Sequence, residues 1–132
     1  MNMDLHDKFN QKQTLVSSFK NAFSGIKQAF RSERNIRFHF FAMVFVLIAA
    51  IILKLDLRDW IIILILIGLV MAFELMNTAI ETTVDLVVGA NYHRLAKKAK
   101  DIAAASVLVI SILAAIIGII VFLPYLIPYL LP

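Results

Sequence analysis

Long apolar runs separated by short polar connections set the outline of the chain. Phe40 to Leu53 is 14 residues without a charge, and it reaches membrane length if Arg37 and Lys54 extend their charged heads away from its two ends. A second run starts at Trp60, stays uncharged to Phe73, and keeps a helical apolar period beyond Glu74 to Val88. The third, Ile102 to Leu123, is 22 residues in which only Ser106 and Ser111 are polar. It is long enough to cross a bilayer with some tilt. These runs predict three spans, over 38–54, 60–88 with a cytoplasmic extension, and 100–123. Pro124, Pro128 and Pro132, interleaved with Tyr125 and Tyr129, predict that the regular helix stops there. The chain would leave the bilayer through an aromatic belt, with an outer tail over 124–132.

Ahead of the first span, Leu15, Phe19, Phe23, Ile26 and Phe30 share one helical stripe, with Lys20, Ser24, Lys27, Gln28 and Arg31 opposite. This predicts an amphipathic helix over 14–32. It either lies in the headgroup region or packs on the cytoplasmic ends of the spans; the pattern does not separate the two. The fold class is all-α integral membrane, one domain over 1–132 made of this surface helix and three transmembrane helices.

Composition narrows the chemistry. The 132 residues are 61% hydrophobic and 17% charged, against about 25% charged in a soluble domain. No length remains for a separate soluble catalytic domain, so any chemistry happens at the membrane. The absence of cysteine excludes disulfides, thiolate metal sites and cysteine nucleophiles. The four glycines are isolated and none precedes a lysine, which excludes a dinucleotide fingerprint and a Walker loop. No nucleic-acid partner is expected.

Charge then orients the chain. Residues 1–39 hold seven Lys/Arg (Lys8, Lys12, Lys20, Lys27, Arg31, Arg34, Arg37) and the 89–101 connection holds Arg94, Lys97, Lys98 and Lys100. Both should be cytoplasmic. In the 54–59 turn Lys54 and Arg58 are balanced by Asp56 and Asp59, and no charged side chain follows Asp101, so that turn and the C-terminus should lie outside. A cleaved signal peptide does not fit, because about 39 polar or amphipathic residues precede the first apolar run.

The second run carries the informative residues. Glu74, Asn77, Glu81 and Asp85 fall at i, i+3, i+7 and i+11, within a sector of about 80° on a helix. Counted from Trp60, Glu74 is about 21 Å deep, while Glu81 and Asp85 reach the cytoplasmic interface. A lone amide or threonine here would be read as glue between helices. Three acids and an amide on one stripe point instead to function. Carboxylates near the interface can hold a divalent ion such as Mg²⁺ delivered with phosphates, and a deeper, partly desolvated one can take a proton from an alcohol. Lys100-Asp101 enters the membrane at the depth of Glu81, where the lysine can neutralise a phosphate and the acid can orient it. Lys97 and Lys98 read more simply as topology determinants, and His93 serves equally as a loop residue or a nucleotide contact.

Three classes fit these parts: an integral enzyme moving a phosphoryl group onto a lipid alcohol, a cation or proton transporter using Glu74 as carrier, and a membrane assembly subunit. The first and third spans carry no internal charge, which favours one-sided interfacial chemistry over transport.

The run Glu74-Leu-Met-Asn77-Thr78-Ala79-Ile80-Glu81-Thr-Thr-Val-Asp85, followed by Ala99-Lys100-Asp101-Ile-Ala-Ala-Ala, closely resembles the prokaryotic diacylglycerol kinase family over about Phe19 to Phe122. The stretch Glu33-Arg34-Asn35-Ile-Arg37-Phe-His39 is similar to the Gram-positive branch, whose members mostly phosphorylate undecaprenol. The resemblance implies a multi-pass protein of the bacterial cell membrane, assembled as a homotrimer with active sites at subunit interfaces, using ATP and Mg²⁺ on a lipid alcohol. A trimer also suits the burial problem, since three helices alone shield Glu74 poorly from lipid. By motif, Glu74 matches the family's general base and Asn77 the polar group beside it. Glu33 and Glu81 match the metal-holding acids, Lys100 and Asp101 the nucleotide-phosphate site, and Asn91 and His93 the loop that approaches the nucleotide. The diacylglycerol-specific members carry Arg and Tyr where this chain has Thr14 and Asn21, and its 86–93 loop is one residue longer. Those departures bear on how the surface helix and the loop meet the nucleotide, not on the lipid; the likeness to the Gram-positive branch makes undecaprenol the expected acceptor, with diacylglycerol the alternative.

Overall fold

The structure, a computed structural model, describes residues 14–130. Lys8 and Lys12 of the charge count, and tail positions 131–132, lie outside the described residues. Four helices follow one another: α1 Leu15–Ser32, α2 Arg34–Ile52, α3 Leu57–Val88 and α4 Arg94–Leu130. The last three are long and apolar enough to cross a membrane. α3 is the centre, packed most extensively on α4 and also against α2, while α1 touches both α2 and α3.

Each boundary has a local cause. Thr14 starts α1, its Oγ1 accepting from Ser17 N at 3.2 Å. Between α1 and α2 only Glu33 leaves helical conformation, with φ −101° and ψ 123°. Arg37 does not extend toward the headgroups as expected. Its Nη1 donates to the carbonyls of Phe30 (3.1 Å) and Arg31 (3.0 Å), supplying partners that the end of α1 lacks. The edge-to-face pair Phe30–Phe40, 5.2 Å apart, fixes the same corner. Glu33 itself makes no capping bond, so its carboxylate is left to other work.

At the other end α2 closes in a Schellman arrangement, Leu55 N bonding Ala50 O and Lys54 N bonding Ile51 O, with Lys54 at φ 54°. Leu55 is thereby buried against Ala50, Ile63 and Val121, the tightest cluster of the bundle. Asp56 caps α3 by accepting from Asp59 N at 3.0 Å.

α4 departs from expectation. It runs unbroken through Pro124 and Pro128 to Leu130 instead of ending near Leu123. Each proline forfeits one main-chain hydrogen bond, a loss that neighbouring contacts can offset in a membrane helix. The offsetting contact here is Tyr125, whose hydroxyl donates to Asp59 Oδ2 at 2.7 Å and accepts from Asp56 N at 3.1 Å. The tyrosine thus clasps the proline-bearing end of α4 to the start of α3. Tyr125→Phe should cost about 1–2 kcal/mol of stability, seen as a lower thermal midpoint in detergent with unchanged helix content. An unchanged midpoint would remove the clasp from the account.

Most large apolar side chains of α2, α3 and α4 remain exposed on this single protomer, among them Phe41, Phe45, Ile65, Ile119 and Ile120. Such a surface is stable in lipid and not in water.

Candidate active site

α3 carries the site because its apolar faces are occupied by α2 and α4 and its polar stripe is turned toward α2 and the α1–α2 corner. Glu74 is 2% exposed and Asn77 7%, the only polar or charged residues buried among those described. A carboxylate this deep needs a partner. It finds one across the helix interface: Glu74 Oε1 lies 3.1 Å from Nε2 of His39 on α2. Sequence reasoning missed that contact. A single histidine at the head of an apolar run gives no periodic signal, and its partner is 35 positions away.

One turn and two turns on, Asn77 Nδ2 donates to Glu81 Oε1 at 3.1 Å. Asn77 Oδ1, also buried, has no protein partner. Glu33, at the α1–α2 corner, and Glu81 are both close enough for their charges to act on Glu74 and on Lys100. Glu33, Glu74, Asn77, Glu81 and Lys100 therefore form one neighbourhood drawn from α3, α4 and the α1–α2 corner.

Lys100 reaches it by an unexpected pairing. Its Nζ contacts Asp85 at 3.0 and 3.1 Å through both carboxylate oxygens, tying the end of α3 to the start of α4. Adjacent Asp101 does not orient Lys100. Consecutive helical residues point about 100° apart, and Asp101 pairs with Lys97 one turn earlier. Asp101, Lys97, Lys98 and Arg94 instead line a shallow basic recess of about 460 Å³. His93 is exposed and has a structural task, its Nδ1 accepting from Leu95 N at 3.3 Å as α4 begins. Asn91 is exposed in the connecting turn, where its main-chain N donates to Val88 O. Neither is brought to the carboxylates.

Beyond the polar neighbourhood, α2, α3 and α4 enclose an apolar groove of about 610 Å³. His39 is part of its wall, as are Met43, Met71, Ser111 and Gly118. The buried Glu74 carboxylate and the apolar groove thus share one side chain, His39, between them.

The donor set suits a hard cation carried by a substrate. Among the described residues no three His, Asp or Glu side chains gather into a metal cage. Mg²⁺ seldom uses one; one or two carboxylates with the substrate's phosphates suffice, the number expected of Glu33 and Glu81.

Residues 20–122 match the family model described as prokaryotic diacylglycerol kinase. The undecaprenol kinase of Bacillus subtilis (strain 168) is 44% identical over 94% of this chain and 100% of its own length. A diacylglycerol kinase of Synechocystis sp. is 46% identical over 83% of this chain and 63% of its own length, and that of Escherichia coli (strain K12) is 32% identical over 77% and 83%. With three membrane-length helices and a polar stripe that starts at buried Glu74, the chain belongs to the prokaryotic diacylglycerol kinase family, membrane lipid kinases with ATP as phosphoryl donor.

Proposed function

We propose that the protein transfers the γ-phosphate of ATP to the hydroxyl of undecaprenol at the cytoplasmic face of the bacterial cell membrane. The observation that carries the mechanism is the buried Glu74 carboxylate, held against His39 of an apolar groove, with Glu33 and Glu81 near it. The full-length similarity to a Bacillus undecaprenol kinase supports the acceptor.

Glu74 acts as the general base. The lipid oxygen bonds to the γ-phosphorus while its proton passes to the Glu74 carboxylate, and the bond to the β–γ bridging oxygen breaks with its electrons leaving on ADP. Asn77 holds Glu81 through its amide N–H and offers Oδ1 to the reacting groups. Glu33 and Glu81 would hold Mg²⁺, which when bound neutralises phosphate charge. Lys100 adds a cation on the nucleotide phosphates, exchanging its contact with Asp85 for them. Asp101, Asn91 and His93, on or beside the basic recess, would take the more distant parts of the nucleotide. Rate acceleration comes from positioning and charge neutralisation at a site shielded from bulk water.

The working unit is a homotrimer with sites at subunit interfaces, which gives the exposed apolar faces of α2–α4 both lipid and protein to cover them. The whole chain forms one membrane domain, with its N-terminus and the 89–101 connection cytoplasmic, α1 in the headgroup layer, and the C-terminal end of α4 outside. The abundance of basic residues on the cytoplasmic side supports that orientation.

A diacylglycerol acceptor is the second reading, favoured by the similarity to the Synechocystis enzyme. The test is kcat/KM for undecaprenol and for a diacylglycerol, measured on one preparation in mixed micelles with Mg-ATP. A ratio of at least about 100 for undecaprenol, worth about 2.7 kcal/mol of discrimination, is expected. A ratio inverted to the same extent would move the enzyme to the diacylglycerol reading.

A further inference from the structure

We propose that His39 is the positioning residue for the catalytic carboxylate: its Nε2–H holds Glu74 Oε1 and leaves Oε2 to face the lipid hydroxyl arriving along the apolar groove. This rests on the reading of Glu74 as general base and adds to it a second helix and a second side chain.

The geometry points to it in three ways. His39 Nε2 stands 3.1 Å from Glu74 Oε1, within ion-pair distance across the interface of α2 and α3. Among the described residues Glu74 has no other side-chain partner: Asn77, one turn on, is committed to Glu81, and Arg37, two residues before His39, is committed to the carbonyls of Phe30 and Arg31. The carboxylate of a Glu rotates freely about its last bond unless something fixes it, and at 3% side-chain exposure only His39 does so. Lastly, the His39 side chain is 19% exposed, and the space it borders is the groove between α2 and α4. A hydroxyl at the end of a chain lying in that groove meets the ring before it meets the carboxylate. A base oriented by a further group is the arrangement that general-base sites need, because a carboxylate turned away from the proton is as inactive as a missing one.

The contact also accounts for how α2 contributes to chemistry performed on α3. With it, the spacing between α2 and α3 sets the direction of the catalytic oxygen.

Two substitutions at His39 and one double variant test the proposal, each in the full-length protein assayed with Mg-ATP and undecaprenol. His39→Ala should lower kcat about ten- to hundredfold with KM for Mg-ATP within about twofold of the parent. His39→Gln keeps an N–H donor of similar reach and should recover most of that loss, to within about fivefold of the parent; it also keeps the buried carboxylate partnered, so the fold does not depend on the smaller variant. In the His39→Ala/Glu74→Gln double variant, activity should equal that of Glu74→Gln alone, because a residue acting through another loses its effect once the other is gone. A side chain that merely supports the helix pair would give multiplicative losses and an equal fall for Ala and Gln. Parental kcat in His39→Ala, equal losses in the Ala and Gln variants, or additive free energies in the double variant would each overturn the proposal. If Glu74→Gln is itself fully active, the base assignment fails first. If Glu74→Gln is inactive and His39→Ala is not impaired, only the role of His39 fails.

Discussion

Replacing Glu74 by Gln should lower lipid phosphorylation by about a thousandfold or more while leaving the protein folded and able to bind Mg-ATP. Gln has the shape of Glu and still offers an oxygen to His39, but it cannot take the hydroxyl proton. General-base removal costs roughly 10²–10⁴ in rate, and little background reaction is expected at a site that excludes water. Stability should not suffer, since the change removes a charge from a position that is 2% exposed. Turnover, binding of Mg-ATP by equilibrium titration and the thermal midpoint check the three parts separately. Activity within about tenfold of the parent would take the base role away from Glu74.

Glu81→Gln should produce the second large effect, and of a different kind. The Gln side-chain oxygen can still accept from Asn77 Nδ2, now 3.1 Å from Glu81 Oε1, so the local hydrogen bond survives. What is lost is one of two negative charges available to Mg²⁺. Losing even an outer-shell contact to a metal ligand costs about 10–100-fold, so loss of a ligand charge should lower activity by more than about a hundredfold at low Mg²⁺. Part of that loss should return as Mg²⁺ is raised. Mg²⁺ titrations of parent and variant check this, and an unchanged Mg²⁺ requirement would separate Glu81 from the metal.

The stripe on α3 was legible because helical spacing is a local property. Glu74, Asn77, Glu81 and Asp85 share a face whatever surrounds them, and the structure grades them along that face from buried to exposed. The three apolar spans were legible for the same reason. What could not be read depends on contacts between elements. His39 reveals itself only through a partner on another helix. Lys100 meets Asp85 and not the adjacent Asp101, because the packing angle of α3 on α4 decides which acid it reaches. The helix break at Glu33 involves neither Pro nor Gly; Arg37 and the Phe30–Phe40 pair stabilise it after the fact. The prolines of α4 misled in the opposite direction, since the helix continues through them and Tyr125 between them is tied to residues more than sixty positions earlier.

The account stands or falls on where the γ-phosphate goes. The most direct measurement follows γ-labelled ATP with purified, folded protein in micelles containing undecaprenol and Mg²⁺, separating lipid phosphate from free phosphate and counting ADP. The account predicts label on the lipid in one-to-one amount with ADP. ADP accumulating with free phosphate alone, or no ADP from a protein shown to bind Mg-ATP, would contradict it.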